Sequence, residues 1–162
     1  MLPGIPIEYY YPIFSFFMFS LAYLLIPREK FTNLFWFGLI WGFLFNIIFN
    51  LIFGSLFNLF RYQHTEAFSF LGSPLWINFA WIFAVMLYLY YLPQETKWYL
   101  FPLYIFTFSV ASAALDLVFN QTGMLTYANW NPFYRFIFAL IWFYGLTLHS
   151  KALAPPKTQD TN

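Results

Sequence analysis

One carboxylate, Asp116, lies inside the long apolar run Trp98–Phe119. A charge at the centre of a membrane-spanning helix costs about 2.5–3.5 kcal/mol on insertion scales, so such a group is a suspect for binding or proton transfer. The natural partner is Arg135, one turn into the next apolar run, Pro132–His149. A cation there meets the positive end of a helix macrodipole, and pairing with Asp116 relieves both residues. Around them the sequence spaces amides at helical intervals: Asn46, Asn50 and Asn58 in one run, Asn78 in another, and Asn120 on the stripe Ser109, Ser112, Asp116, Asn120. Amides and an ion pair at one depth suit a lipid headgroup, an ion or a proton. They equally suit interhelical hydrogen bonds, which contribute about 0.6 kcal/mol each.

Positioning these groups requires helices that cross a bilayer. The apolar runs are residues 7–26, 34–60, 75–92, 98–119 and 132–149, each near or above the ~20 residues that span about 30 Å of hydrocarbon. Their continuity excludes a β-barrel, whose strands alternate. The expected fold class is therefore an all-α polytopic bundle of five transmembrane helices covering residues 1–153. Residues 154–162 form a polar tail expected to be disordered. The second run is over-long, so it should tilt, break near Gly54-Ser55, or project beyond the bilayer. Prolines fall in first turns (Pro12, Pro102, Pro132) or connections (Pro27, Pro74, Pro93), with Pro27–Asn33 and Pro93–Lys97 as short loops. Asn131-Pro132 reads as an N-cap followed by proline at the first helical position.

Arg28, Lys30, Lys97, Lys151 and Lys157 fall on one side of such a bundle, and only Arg61 and Arg135 on the other. The basic side stays cytoplasmic, which places the N-terminus outside and the C-terminus inside. No basic residue precedes the first run, so it is expected to be retained rather than cleaved as a signal peptide. Tyr9, Tyr10, Tyr11, Trp76 and Trp130 form the expected outer aromatic belt, and Trp36, Tyr90, Tyr91 and Trp98 the inner one.

The chain is 62% hydrophobic and 8% charged, which excludes a soluble globule, where about a quarter of residues are charged. A net charge of +1 without a basic patch excludes nucleic acid as a partner. With no cysteine, disulfides and thiol chemistry are absent. Histidine offers little for a metal: His64 neighbours Glu66 in an outer loop that also holds Arg61, while His149 belongs at the opposite side, so no metal is expected. Acid–base work by His64 or Glu66 has no further support in the sequence. No nucleotide, hydrolase or zinc-protease motif occurs, and no cofactor is expected. Gly38 and Gly42 form a GxxxG spacing that permits close helix approach, within the bundle or in a dimer. Asn120-Gln121-Thr122 matches a glycosylation sequon too close to a helix end to be used.

The run Ala114-Leu115-Asp116-Leu117 together with Asn129-Trp130-Asn131-Pro132 resembles small multispanning membrane proteins of Bacillus-type bacteria. The resemblance implies a bacterial cytoplasmic membrane and no particular activity. Three functions fit the residues. The favoured one is a small non-enzymatic membrane protein that binds membrane lipid or packs with a membrane-protein partner or a second copy. The others are an intramembrane enzyme acting on a lipid, isoprenoid or carotenoid with Asp116 as acid–base, and a transporter or channel subunit. The polar residues should border one hydrophilic cavity opening to the outer leaflet.

Overall fold

The computed structural model describes residues 5–65, 69–70, 72–94 and 97–153. Among them are five helices: α1 (Tyr10–Leu25), α2 (Arg28–Leu56), α3 (Leu75–Tyr90), α4 (Leu100–Gln121) and α5 (Pro132–Leu153). A 3-10 turn, Ile7–Tyr9, leads into α1. Of these, α2, α4 and α5 are long and apolar enough to cross a membrane; α3 is apolar but shorter, at 16 residues. Residues 154–162, expected as a disordered tail, and Glu66 lie outside the described residues.

The expected loop at Pro27–Asn33 is mostly helix. Pro27, extended at ψ 144°, separates α1 from α2, which begins at once with Arg28. Arg, Glu and Lys are good helix formers, so their charge marks where apolar sequence starts but not where a helix does. The long second run neither breaks nor stays regular. It passes through two π-helical stretches, Gly38–Leu44 and Asn50–Leu56, within one continuous helix. Asn58, at φ 48°, then adopts the left-handed conformation that commonly ends helices, and the Leu59 amide reaches back to the Phe53 carbonyl at 2.9 Å.

The fold is predominantly but not wholly helical. Strand β1 (Phe60–Tyr62) pairs antiparallel with β4 (Leu125–Tyr127), with Arg61 opposite Thr126. A smaller hairpin pairs β2 (Ser69–Phe70) with β3 (Ser73–Pro74). The segments leaving α2 and α4 are thereby stitched together at one end of the bundle, the sheet end. Tyr11 completes the tie. It was expected in an aromatic belt, but it is 2% exposed, and its hydroxyl lies 2.7 Å from the Gln63 carbonyl and 2.6 Å from that of Met124. A phenol can leave the lipid interface when buried backbone acceptors await it.

The most closely packed helix pairs are α4–α5, α1–α3 and the first π-helical stretch of α2 with α3. Gly38 and Gly42 lie in the last of these. A Cβ on Gly38 would sit 2.7 Å from the Ile82 carbonyl oxygen, and one on Gly42 would overlap the Trp81 backbone. Both glycines therefore serve contact inside the bundle. Because the obstacle is backbone, it cannot rotate away. Gly42→Ala should lower stability by about 1–3 kcal/mol, read as a drop in thermal unfolding temperature of the purified protein in detergent. An unchanged midpoint would contradict this packing.

Candidate functional site

Asp116 is 7% exposed on α4, at the sheet end of that helix. Its Oδ2 accepts two hydrogen bonds, from the Tyr127 hydroxyl and from Trp130 Nε1, each 3.1 Å long. Its Oδ1 lies 3.9 Å from Arg135 Nε, the outer edge of an ion pair. Arg135 Nε donates to Ser112 Oγ at 3.1 Å. The carboxylate is thus held chiefly by two neutral donors, with the cation as a near neighbour. Trp130, expected at an interface, is 6% exposed and serves as one of those donors. Asn131 fixes the approach to the site: its Oδ1 accepts from the Tyr134 amide at 3.0 Å and caps α5, which carries Arg135.

The guanidinium is also held by rings. Arg135 Cζ lies 5.2 Å from the Phe49 ring centre and 5.3 Å from that of Trp81. Cation–π contacts of this kind stabilise by about 0.5–2 kcal/mol as water is removed. Phe49 comes from α2 and Trp81 from α3, so Arg135 links α5 to two helices besides its contact with α4.

The amides form a separate system. Asn46 Nδ2 donates to Asn78 Oδ1 at 2.6 Å, and Asn78 Nδ2 donates to Ser73 Oγ at 3.2 Å. Asn50 Nδ2 donates to the same Ser73 Oγ at 2.9 Å. Ser73, in β3, is 1% exposed; a lone serine outside a helix carries no periodic signal in the sequence. Asn120 is engaged elsewhere, donating to the Leu125 carbonyl at 2.9 Å. Asn58 and His64 are exposed, and both have left-handed backbone conformations. Among the described residues no three His, Asp or Glu side chains cluster.

The single hydrophilic cavity expected from the sequence is in fact divided. One space, a slot of about 160 Å³, runs between α1 and α3 on one side and α4 and α5 on the other. Its walls are apolar, with Ala80, Ala84 and Ala111 leaving the room, and its polar groups are Ser112, Asp116 and Arg135. A second space of about 340 Å³ at the sheet end is bordered by Asn50, Asn58 and Arg61. Tyr62 borders both. A small space of about 20 Å³ beside Phe49 and Trp81 is shared by Arg135, Ser112 and Asn46, so Arg135 and the amide network meet there, while Asn50 borders the sheet-end space.

Two phenols bear on the charge balance. Burial pushes the Tyr62 hydroxyl well above the ordinary tyrosine range, with nearby Arg135 opposing and Asp116 reinforcing the shift. Tyr127 is raised in the same way, by burial first and then by the Asp116 charge it bonds. Tyr127 thus stays a donor to Asp116 well into the alkaline range.

No protein-family model, curated protein or solved structure matches this chain.

Two outcomes test this geometry. Asp116→Ala leaves a buried cation without its counter-charge and should destabilise by about 3–5 kcal/mol. Combined with Arg135→Ala the loss should be smaller than the sum, measured as a double-mutant cycle of unfolding in detergent; additive losses would mean the two are energetically independent. The second outcome concerns pH. Because folding raises the phenol pKa values, their contribution is fully present below the unfolded value of about 10 and is lost as pH rises towards the folded values. Helical signal should therefore hold to that pH and then fall, and Tyr62→Phe with Tyr127→Phe should reduce the alkaline loss.

Proposed function

We propose that this protein is an integral membrane protein that binds a single lipid-like chain within its bundle, in the slot whose polar end is formed by Ser112, Asp116 and Arg135. The observation that carries the reading is the slot's make-up. It is an apolar space of about 160 Å³, walled by alanines, phenylalanines and Met18, with its charged groups at one end. A dry apolar cavity of about this size takes up a benzene-sized ligand. Phe108 to Phe119 on α4 covers about 16 Å of wall, at about 1.5 Å per residue, enough for a chain segment rather than a compact solute.

A membrane setting is supported by the surface. Only 22% of the apolar window is buried in α4 and in α5, and 28% in α2. Phe16, Phe17, Leu103, Phe133 and Ile141 face outward, each more than half exposed. Apolar surface on that scale belongs against hydrocarbon. The division of Lys and Arg supports an orientation with the sheet end outside and the basic end in the cytoplasm.

Binding is favoured over acid–base catalysis because, among the described residues, no second carboxylate or imidazole lines the slot beside Asp116, whose Oδ2 is held by Tyr127 and Trp130 and whose Oδ1 faces Arg135. No comparable polar path leads to the other end, where Tyr88 and Thr147 bond each other at 2.7 Å and Trp41 Nε1 donates to His149 at 2.8 Å.

Gentle extraction followed by native mass spectrometry should show one retained amphiphile per chain. Ala84→Phe, which fills the slot, should remove that adduct while leaving the helical content intact. A retained adduct in this variant would end the reading. For orientation, a cysteine at Gln63 should react with an impermeant thiol reagent in intact cells and one at Gln94 should not; the reverse pattern would invert the topology.

A further inference from the structure

A chain lying in the slot ends beside Asp116 and Arg135, and the bonding capacity left there limits what its head can be. Asp116 Oδ2 is filled by Tyr127 and Trp130. Its Oδ1 takes no hydrogen bond among the described residues, because Arg135 Nε stands 3.9 Å away, too far for one. Arg135 spends its Nε on Ser112 Oγ at 3.1 Å, and its two Nη atoms make no hydrogen bond among the described residues.

Neither position is sealed. Among the described residues, the side-chain atoms that are closed to water and lack a partner are Asn50 Oδ1 and Trp142 Nε1. Asp116 Oδ1 and the Arg135 Nη atoms are therefore open to a small group. The two side chains keep 8% and 11% of their surface, and the slot is the space that both of them line.

Charge narrows the choice further. Asp116 and Arg135 are the charged side chains on the slot among the described residues, and they sum to zero. Tyr62 borders the same slot and stays neutral, since burial lifts its phenol pKa. A carboxylate or phosphate head would set a second anion beside Asp116, and an ammonium a second cation beside Arg135. Either would hold an uncompensated charge away from water. An ether or ester oxygen accepts from Arg135 but has nothing to give Asp116. A bare hydrocarbon end serves neither. A hydroxyl carries one donor and two acceptor positions and no charge, so it satisfies both.

We propose that the slot takes a neutral long-chain alcohol, whose hydroxyl donates to Asp116 Oδ1 and accepts from an Arg135 Nη while its chain lies along Phe108, Ala111 and Phe119. The inference rests on the slot being a site for a lipid-like chain, and it adds the class of that ligand. Fatty acids, phospholipids and alkylamines fall outside it.

The test uses the full chain in detergent at about pH 8, where a carboxylic acid is ionised and an alkylamine protonated. Native mass spectrometry compares adducts of ligands that share one dodecyl chain: dodecanol, dodecyl methyl ether, dodecanoate and dodecylamine. Slot-bound adducts are those lost in Ala84→Phe. Among these, dodecanol should exceed each of the others by about tenfold. Changing the charge should redirect the choice. In Asp116→Asn, which keeps an acceptor for Tyr127 and Trp130, dodecanoate should overtake dodecanol; in Arg135→Gln, dodecylamine should. A pair that only held the fold together would not exchange the preference in this way. If these variants do not fold, the ranking in the unaltered chain decides. Slot-bound adducts that ignore the head, or that favour any head over the hydroxyl in the unaltered chain, would overturn the alcohol while leaving the slot in place. If no adduct is lost in Ala84→Phe, the slot reading falls and the alcohol with it.

Discussion

A carboxylate removed from water must be given donors, and the neighbourhood of Asp116 is organised around that demand. The donors come from three successive pieces of chain: Tyr127 in β4, Trp130 in the following connection, and Arg135 in α5 as the nearby cation. To bring them to one point, the chain after α4 must turn back sharply. Gly123 at φ 77° and the β1–β4 pairing provide that turn. The close packing of α4 against α5 follows, because the chain entering the second helix is tethered to the first by Trp130 and again by Arg135.

The same demand explains why polar groups gather at one end. Buried amides lose their value unless each finds a partner, and Asn46, Asn50, Asn78 and Ser73 satisfy one another almost completely. Aromatic rings border the place where this network meets the charged one, with Asn46 and Arg135 on the same small space. Phe49 and Trp81 lie 5.2 and 5.3 Å from the Arg135 Cζ, while its Nε donates to Ser112, so among the described residues no hydrogen bond joins it to the amides. At the opposite end Tyr88, Thr147, Trp41 and His149 form small closed pairs, and the packing there is almost wholly apolar.

Long apolar runs and their proline boundaries made the five helices legible in the sequence, and helical spacing picked out Asp116, Arg135 and the asparagines as one depth of the bundle. Less legible were the residues whose chemistry is two-sided. Trp130 and Tyr11 carry an apolar body and a polar tip, which suits a lipid interface and a buried donor equally, and only tertiary contact decides between them. Strands of two or three residues have too few alternations to be seen. The π-helical stretches leave no compositional trace, since widening a turn shifts the stripe of Asn46 and Asn50 without changing its residues. The partition of the polar cluster depended on side-chain direction, which spacing along single helices does not contain.

The helices differ in length more than a uniform slab requires. Both α1 and α3 have 16 residues, about 24 Å at about 1.5 Å per residue, while α2 has 29. Yet α3 is also enclosed: Ile77, Asn78, Ala80, Ile82, Val85, Met86, Tyr88 and Leu89 are buried, with α1 and α2 both packed against it. A helix sheathed by its neighbours is released from the length that a hydrocarbon slab imposes on an exposed one. Its shortness leaves room beyond its first turn, where Ser73 and the asparagines meet.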